Sequence, residues 1–263
     1  ASSARWQNQL AALESLAPLI HALRAVRSQD ATQLLAADAL GSLFELCVEG
    51  ECHPWVRVAA LSACWPIDPE ATKSNFEVVV FGEHQAGDPR AFLTRRRALD
   101  RLVDERHLEG RPPVETLRTF LLSASQDPSE HVRLGVAEKL VELALADADD
   151  AGWEALAHLM DRESGQVAKV RAKLVECVSG AREDQLRVHA NSIASLLARA
   201  LEEDDSRLVL TLCAVAARDL ATALAELDDQ EGLSAFAKTL LAPLTALSAR
   251  DDHPAAVHEV ASA

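Results

Sequence analysis

Apolar residues recur at helical spacing along most of the chain. In HVRLGVAEKLV, residues 131–141, Val132, Val136 and Leu140 form one stripe at i, i+4 and i+8, and Arg133 sits directly beside it. Stepping from Arg133 in units of 38 residues lands on Arg57, Arg95 and Arg171, and one further step reaches Val209, two residues past Arg207. The neighbouring columns agree. The residue before each Arg is Val56, Thr94, Val132 and Val170, then Leu208; seven after it come Cys64, Leu102, Leu140, Val178 and Ala216. Each step therefore contains a helix with the same buried stripe, and a search for repeats takes precedence over any division into domains.

A second helical segment precedes each of these helices, as in VETLRTFLLSAS, GWEALAHLM and HANSIASLLARAL, where Leu121, Leu159 and Leu197 are again 38 apart. The unit is a helical pair. Turn and cap residues punctuate it: CHPW, GDPR, QDPS and EEDDS place Asp or Pro where the second helix starts. Residues 71–87, ATKSNFEVVVFGEHQAG, break the pattern, because Phe76, Val78, Val79, Val80 and Phe81 alone read as a buried strand. They occupy the slot of a first helix, and repeat phase predicts a helix there. At the other end, DDHPAAVHEVA restarts the HPWVRVAA pattern and stops, so the chain is expected to end inside a repeat.

DPSEHVRLGVAEKL resembles the second helix of HEAT-type repeats, which opens on Asp-Pro, followed after three residues by Val-Arg and an Ala-rich stripe. HPWVRVAALSAC lacks the Asp, SGQVAKVRAKLV keeps only Val-Arg and the stripe, and DPRAFLTRRRAL has Thr94 in place of Val. The resemblance covers residues 30–250. It implies an all-α fold, a right-handed α-solenoid of about five to six helical pairs in a single domain over 1–263. It also implies an inter-repeat ladder from Asp to Arg, with Arg57, Arg95, Arg133, Arg171 and Asp127 as its members. From the residues alone, Glu51, Asp88, Asp127 and Glu203 stand six or seven positions before Arg57, Arg95, Arg133 and Val209, and Glu163 serves the fourth unit less regularly. Such charge-assisted bonds contribute about 1.5–3 kcal/mol when sheltered and about 0–1 when solvated.

Composition agrees with a helical soluble chain. Of 263 residues 49% are hydrophobic and 25% charged, aromatics are 4%, and there is no Tyr. The net charge of −15 repels nucleic acid and anionic lipid. Five cysteines without a CxxC pair suggest reduced thiols in the cytoplasm. No run approaches 18 apolar residues without charge, and ASSARWQNQL lacks a signal-peptide layout, so no membrane association is expected. Arg supplies 21 of 26 basic residues, a bias that fits a GC-rich bacterial source.

Candidate chemistry is sparse. Cys47, Cys52, His53 and Cys64 are the one thiol and imidazole cluster to test as a metal site, and Cys64 falls in a core column. No GxSxG, HExxH, Walker or GxGxxG motif occurs. The expected function is thus a non-enzymatic scaffold or adaptor for a protein or peptide, with no cofactor and no metal. Its candidate contacts are Arg96, Arg97, Arg101, Lys173, Glu142, Arg218 and Trp55, the charged columns beside the ladder and an exposed turn. Arg90 to Arg118, with eight Arg against five acids, is the alternative, a nucleic-acid surface. Its bland reading is a solvated helix whose Arg pair with Asp100, Asp104 and Glu105. Through the resemblance, a DNA-glycosylase-like or phycobilin-lyase-like protein is also open. The first requires a basic face with aromatics and a carboxylate, against which the net charge counts.

Overall fold

The computed structural model describes residues 2–25, 40–47, 52–82, 91–108, 110–146, 150–161 and 165–249. Among them the regular structure is entirely α-helical, with no strand. The helices are α1 (Ser2–Ala25), α2 (40–47), α3 (Pro54–Cys64), α4 (Pro69–Phe81), α5 (Ala91–Asp104), α6 (Val114–Ala124), α7 (Glu130–Ala146), α8 (Asp150–Met160), α9 (Ala168–Ser179), α10 (Glu183–Glu203), α11 (Arg207–Glu226) and α12 (Gln230–Ser248). Glu51, residues 83–87, Asp88, Arg90, Glu163 and DDHPAAVHEVA lie outside the described residues.

The segment in doubt is helical. In α4, Thr72, Phe76, Val79 and Val80 are buried while Val78 and Phe81 are exposed, a spacing of i, i+4, i+7 and i+8 that fits a helix and not an alternating strand. Asp68 starts it, its carboxylate accepting the Ala71 N–H at 3.0 Å, with Pro69 in the first turn where no N–H is required. Phe76 is held against Phe120, ring centroids 4.9 Å apart, and Trp65 at 6.2 Å. Tertiary burial thus overrides the β-propensity of three successive valines.

The chain divides into two compact units, Ala1–Val136 and Ala137–Ala263. In the first, α3 packs beside α1 and α5, α4 covers α3 and α5, and α6 covers α5. In the second, α9 packs beside α11, while α10 packs between α8 and α12, and α11 also touches α10 and α12. Each unit therefore sets alternate helices side by side. The buried stripes follow the sequence columns: Val56, Thr94, Val132 and Val170, then Cys64, Leu102, Leu140 and Val178, are all at most 4% exposed. Among the described residues α11 is the one helix long and apolar enough to cross a membrane by length and composition; in this fold its apolar side, Val209, Leu210, Cys213, Ala217 and Leu220, is core.

Among the described residues the same ionic device is seen in each unit. Arg95 on α5 reaches Asp127, ahead of α7, with Nε and Nη2 donating at 2.6 and 3.0 Å. Arg171 on α9 reaches Asp204, ahead of α11, at 2.6 and 3.1 Å. Each Asp also accepts the N–H of the Ser two residues on, Ser129 at 2.7 Å and Ser206 at 2.8 Å, fixing the turn into the next helix. Arg171 further donates to the Gln166 carbonyl, and Arg133 to that of Asp127 at 2.5 Å, so these arginines also tie down their own preceding loops. Arg57, 2% exposed, donates to the Cys47 carbonyl at 2.8 Å. In the last pair the acid is Asp204, one residue after the Glu203 expected from the register. Val209 and Leu210, five and six residues past Asp204, are both fully buried.

The Arg171–Asp204 pair is almost dry, with side-chain exposures of 6% and 2%. Asp204→Ala leaves a guanidinium buried without its counter-charge and removes a turn cap, so a loss of about 3–5 kcal/mol is expected by chemical denaturation. Replacing both by apolar residues of similar volume, Arg171→Met with Asp204→Leu, is expected to recover part of it. Equal losses for the single and double variants would contradict this account. Gly110 has φ +79°, and a Cβ there would lie 2.6 Å from the Trp65 carbonyl oxygen. Gly110→Ala is expected to lower the thermal midpoint by the equivalent of about 1–3 kcal/mol, whereas an unchanged midpoint would mean that this turn is not fixed.

Candidate functional site

The Arg-rich segment is mostly consumed internally. Arg95 is paired with Asp127, Arg96 with Asp100 at 3.0 Å, and Arg101 with Glu105 at 2.6 Å. Arg96 also donates to the His131 carbonyl at 3.0 Å and lies over Gly135, whose missing side chain leaves it room. Arg111, its side chain 3% exposed, is clamped by the Glu105 carboxylate, the Ser62 hydroxyl and the Ser62 carbonyl at 3.1 Å, and it stands 5.9 Å from the Trp65 ring centroid. Arg118 is buried. Among the described residues of the segment these arginines form no continuous basic surface.

Arg97 differs. It is exposed, it makes no hydrogen bond or ion pair among the described residues, and its guanidinium carbon lies 5.4 Å above the centre of the Trp55 ring. Trp55 is itself 49% exposed. It is set in the first turn of α3 by Pro54 and by His53, whose Nδ1 accepts the Trp55 N–H at 3.3 Å. His53 also stacks on Trp6 of α1, centroids 4.1 Å apart and planes 11° apart, and Trp6 meets Trp55 edge-on at 6.3 Å. Side-by-side packing of α1, α3 and α5 thus gathers two indoles, an imidazole and an arginine. Leu93, one turn before Arg97 on α5, is 45% exposed and extends the face.

Further along α5, at the other end of α3, is a charged anchor. Arg101 bonds Glu105 and stands 4.0 Å from Glu14 of α1, while Glu105 also accepts from Ser62 and Arg111. Burial raises the Glu105 pKa, but the Ser62 hydroxyl and the charges of Arg111 and Arg101 outweigh it and hold the carboxyl below its ordinary value.

The other expected contacts are ordinary surface pairs. Lys173 bonds Glu138 at 3.1 Å and reaches Glu176 at 3.6 Å; the hydrogen bond to Glu138 raises its pKa despite a small desolvation cost. Glu142 accepts from Lys139 at 2.8 Å and Arg218 pairs with its neighbour Asp219 at 3.0 Å. In the second unit a groove of ≈ 290 Å³ opens between α8 and α10, with Trp153, Glu154, Ser192 and Arg199 on its wall. Arg199 is engaged by Asp161 at 3.0 Å and Glu203 at 2.9 Å.

Two of the cysteines meet in the core, while His53 stacks on Trp6. Cys47 and Cys64 are core residues. The hydrogen bond to Cys64 and then burial raise the Cys47 pKa well above that of a free thiol, and Cys64 donates to the Ala60 carbonyl at 3.2 Å. Among the described residues no group of three His, Cys, Asp or Glu is placed to hold a metal ion.

Sequence reasoning reached Trp55 and Arg97 separately but gave no sign of their contact, and it missed Trp6 and His53 as its framing residues. Trp6, the His53–Trp55 turn and Arg97 are far apart in the chain, so their meeting leaves no local signal. Compared with known proteins, the chain matches no family model, no curated protein and no solved structure.

A depressed Glu105 pKa stabilises the fold above the unfolded carboxylate's value of about 4.3, and that contribution disappears as pH falls through the lower folded value. Glu105→Gln is expected to lower the thermal midpoint at neutral pH and to flatten the decline below pH of about 4.5. Parallel midpoint-against-pH curves for the two proteins would show that Glu105 does not carry it.

Proposed function

We propose that this chain is a HEAT-like α-solenoid with a repeat of about 38 residues, acting as a non-enzymatic scaffold that binds a protein or peptide. The observation that carries the binding role is the exposed Trp55 with Arg97 over its ring. Trp and Arg dominate interface hot spots, because each combines a large contact area with a donor. Here the pair is already assembled by Trp6 and His53, so little ordering cost remains on binding.

Three features support the solenoid reading: alternate helices packed side by side within each unit, the recurrence of the Arg to Asp-x-Ser tie, and the buried columns in register. The catalytic alternatives gain nothing comparable. The nucleic-acid reading depends on several free arginines in the 90–118 segment, and most of those described are paired or buried.

Trp55→Ala combined with Arg97→Glu is expected to retain the helical circular dichroism of the parent and to lose at least about tenfold in affinity for its bound partner. The measurement is quantitative affinity capture with parent and variant as paired baits, followed by titration of whatever differs. Identical recovery from both baits would remove this face from the function.

A further inference from the structure

We infer that the Leu93–Trp55–Arg97 face binds an acidic peptide segment, one in which a carboxylate neighbours a large aliphatic or aromatic side chain. The inference rests on the scaffold reading and names its partner. Charge complementarity selects the carboxylate. Arg97 presents its donors without an acceptor among the described residues, in a chain with 41 acids against 26 bases. In most of the neighbouring cations the same fork is already closed on an acid: Arg95 on Asp127, Arg96 on Asp100, Arg101 on Glu105.

The pairing of the Arg-rich segment also bears on the class of partner. A nucleic-acid duplex gains its affinity from several phosphates neutralised together, and among the described residues of the 90–118 segment one exposed guanidinium amid paired or buried ones supplies little of that. A single carboxylate needs only one such fork, which a planar guanidinium meets with two parallel bonds. Beside it stand two exposed apolar groups, Trp55 at 49% and Leu93 at 45%, which contribute only if the ligand brings its own apolar side chain. A lysine-rich peptide meets repulsion at Arg97, and a purely acidic one leaves both apolar groups uncovered.

The test is selection of peptides from a randomised display library by the full chain, followed by titration of labelled synthetic copies. The expected winners pair Asp or Glu with Leu, Phe or Trp. Their affinity should fall about tenfold or more with Arg97→Glu and with Trp55→Ala, and should recover on Arg97→Glu when the peptide carboxylate is replaced by Lys. Winners without acids, or acidic winners indifferent to both substitutions, overturn the inference while leaving the scaffold reading in place. A library that yields no binder to the chain sinks both. A short duplex that displaces the peptide and is itself lost with Arg97→Glu overturns it in favour of nucleic acid.

Discussion

The fold depends on a carboxylate that serves two structures at once. Asp127 and Asp204 each cap the turn into a helix through a Ser N–H and each receive a bidentate guanidinium from an earlier helix. Neither function alone needs an Asp at that position, since a Ser or Asn caps as well and a Glu pairs as well. Together they require a short, charged side chain at the mouth of the turn. The Arg then makes the helix it comes from and the helix it reaches share one electrostatic constraint. The cost is burial: the pair in the second unit is drier than that in the first, where Arg95 and Asp127 have side-chain exposures of 15% and 7%. The ties thus add specificity of register as well as energy, because a slip of one residue strands a buried charge.

That constraint explains how much of the architecture was legible. The 38-residue spacing of Arg57, Arg95, Arg133 and Arg171, with its apolar columns, locates α3, α5, α7 and α9. Asp204 was misjudged as Glu203 because the sequence contains four consecutive acids, Glu202 to Asp205, and only the Ser two residues on distinguishes the one that caps. The helix α4 was legible only through phase. Its valines favour a strand locally, and the reason they fold otherwise, Phe76 against Phe120 and Trp65, involves residues from three separate elements.

The candidate site was legible as a list and not as a place. Arg95, Arg96 and Arg97 are adjacent and chemically identical, yet one closes on the next turn, one lies over Gly135 and one stands on an indole. Successive residues of a helix point about 100° apart, so three neighbours sample three environments, and which environment each meets is set by how α5 packs on its neighbours. Composition cannot supply that. A local excess of Arg is a statement about a segment, whereas binding depends on which side chains remain unspent after the fold has taken its share.

Applied to the whole chain, the same distinction argues against reading its −15 charge as a description of its binding surface. Residues 1–136 carry 18 acids and 14 bases, residues 137–263 carry 23 and 12. In the second part several acids serve as turn caps or as partners of Lys173, Arg171 and Arg199, so that part of its negative charge is already spent within the fold. In the first part the balance is near even, and the pairing there leaves Arg97 exposed beside exposed carbon. A cation held over an aromatic ring is less hydrated than one in open water, so it gives up less solvent when a carboxylate arrives. The small net negative charge of the surrounding unit, instead of strong positive charge, then favours a short-range contact made by shape and apolar burial over a long-range attraction to any polyanion.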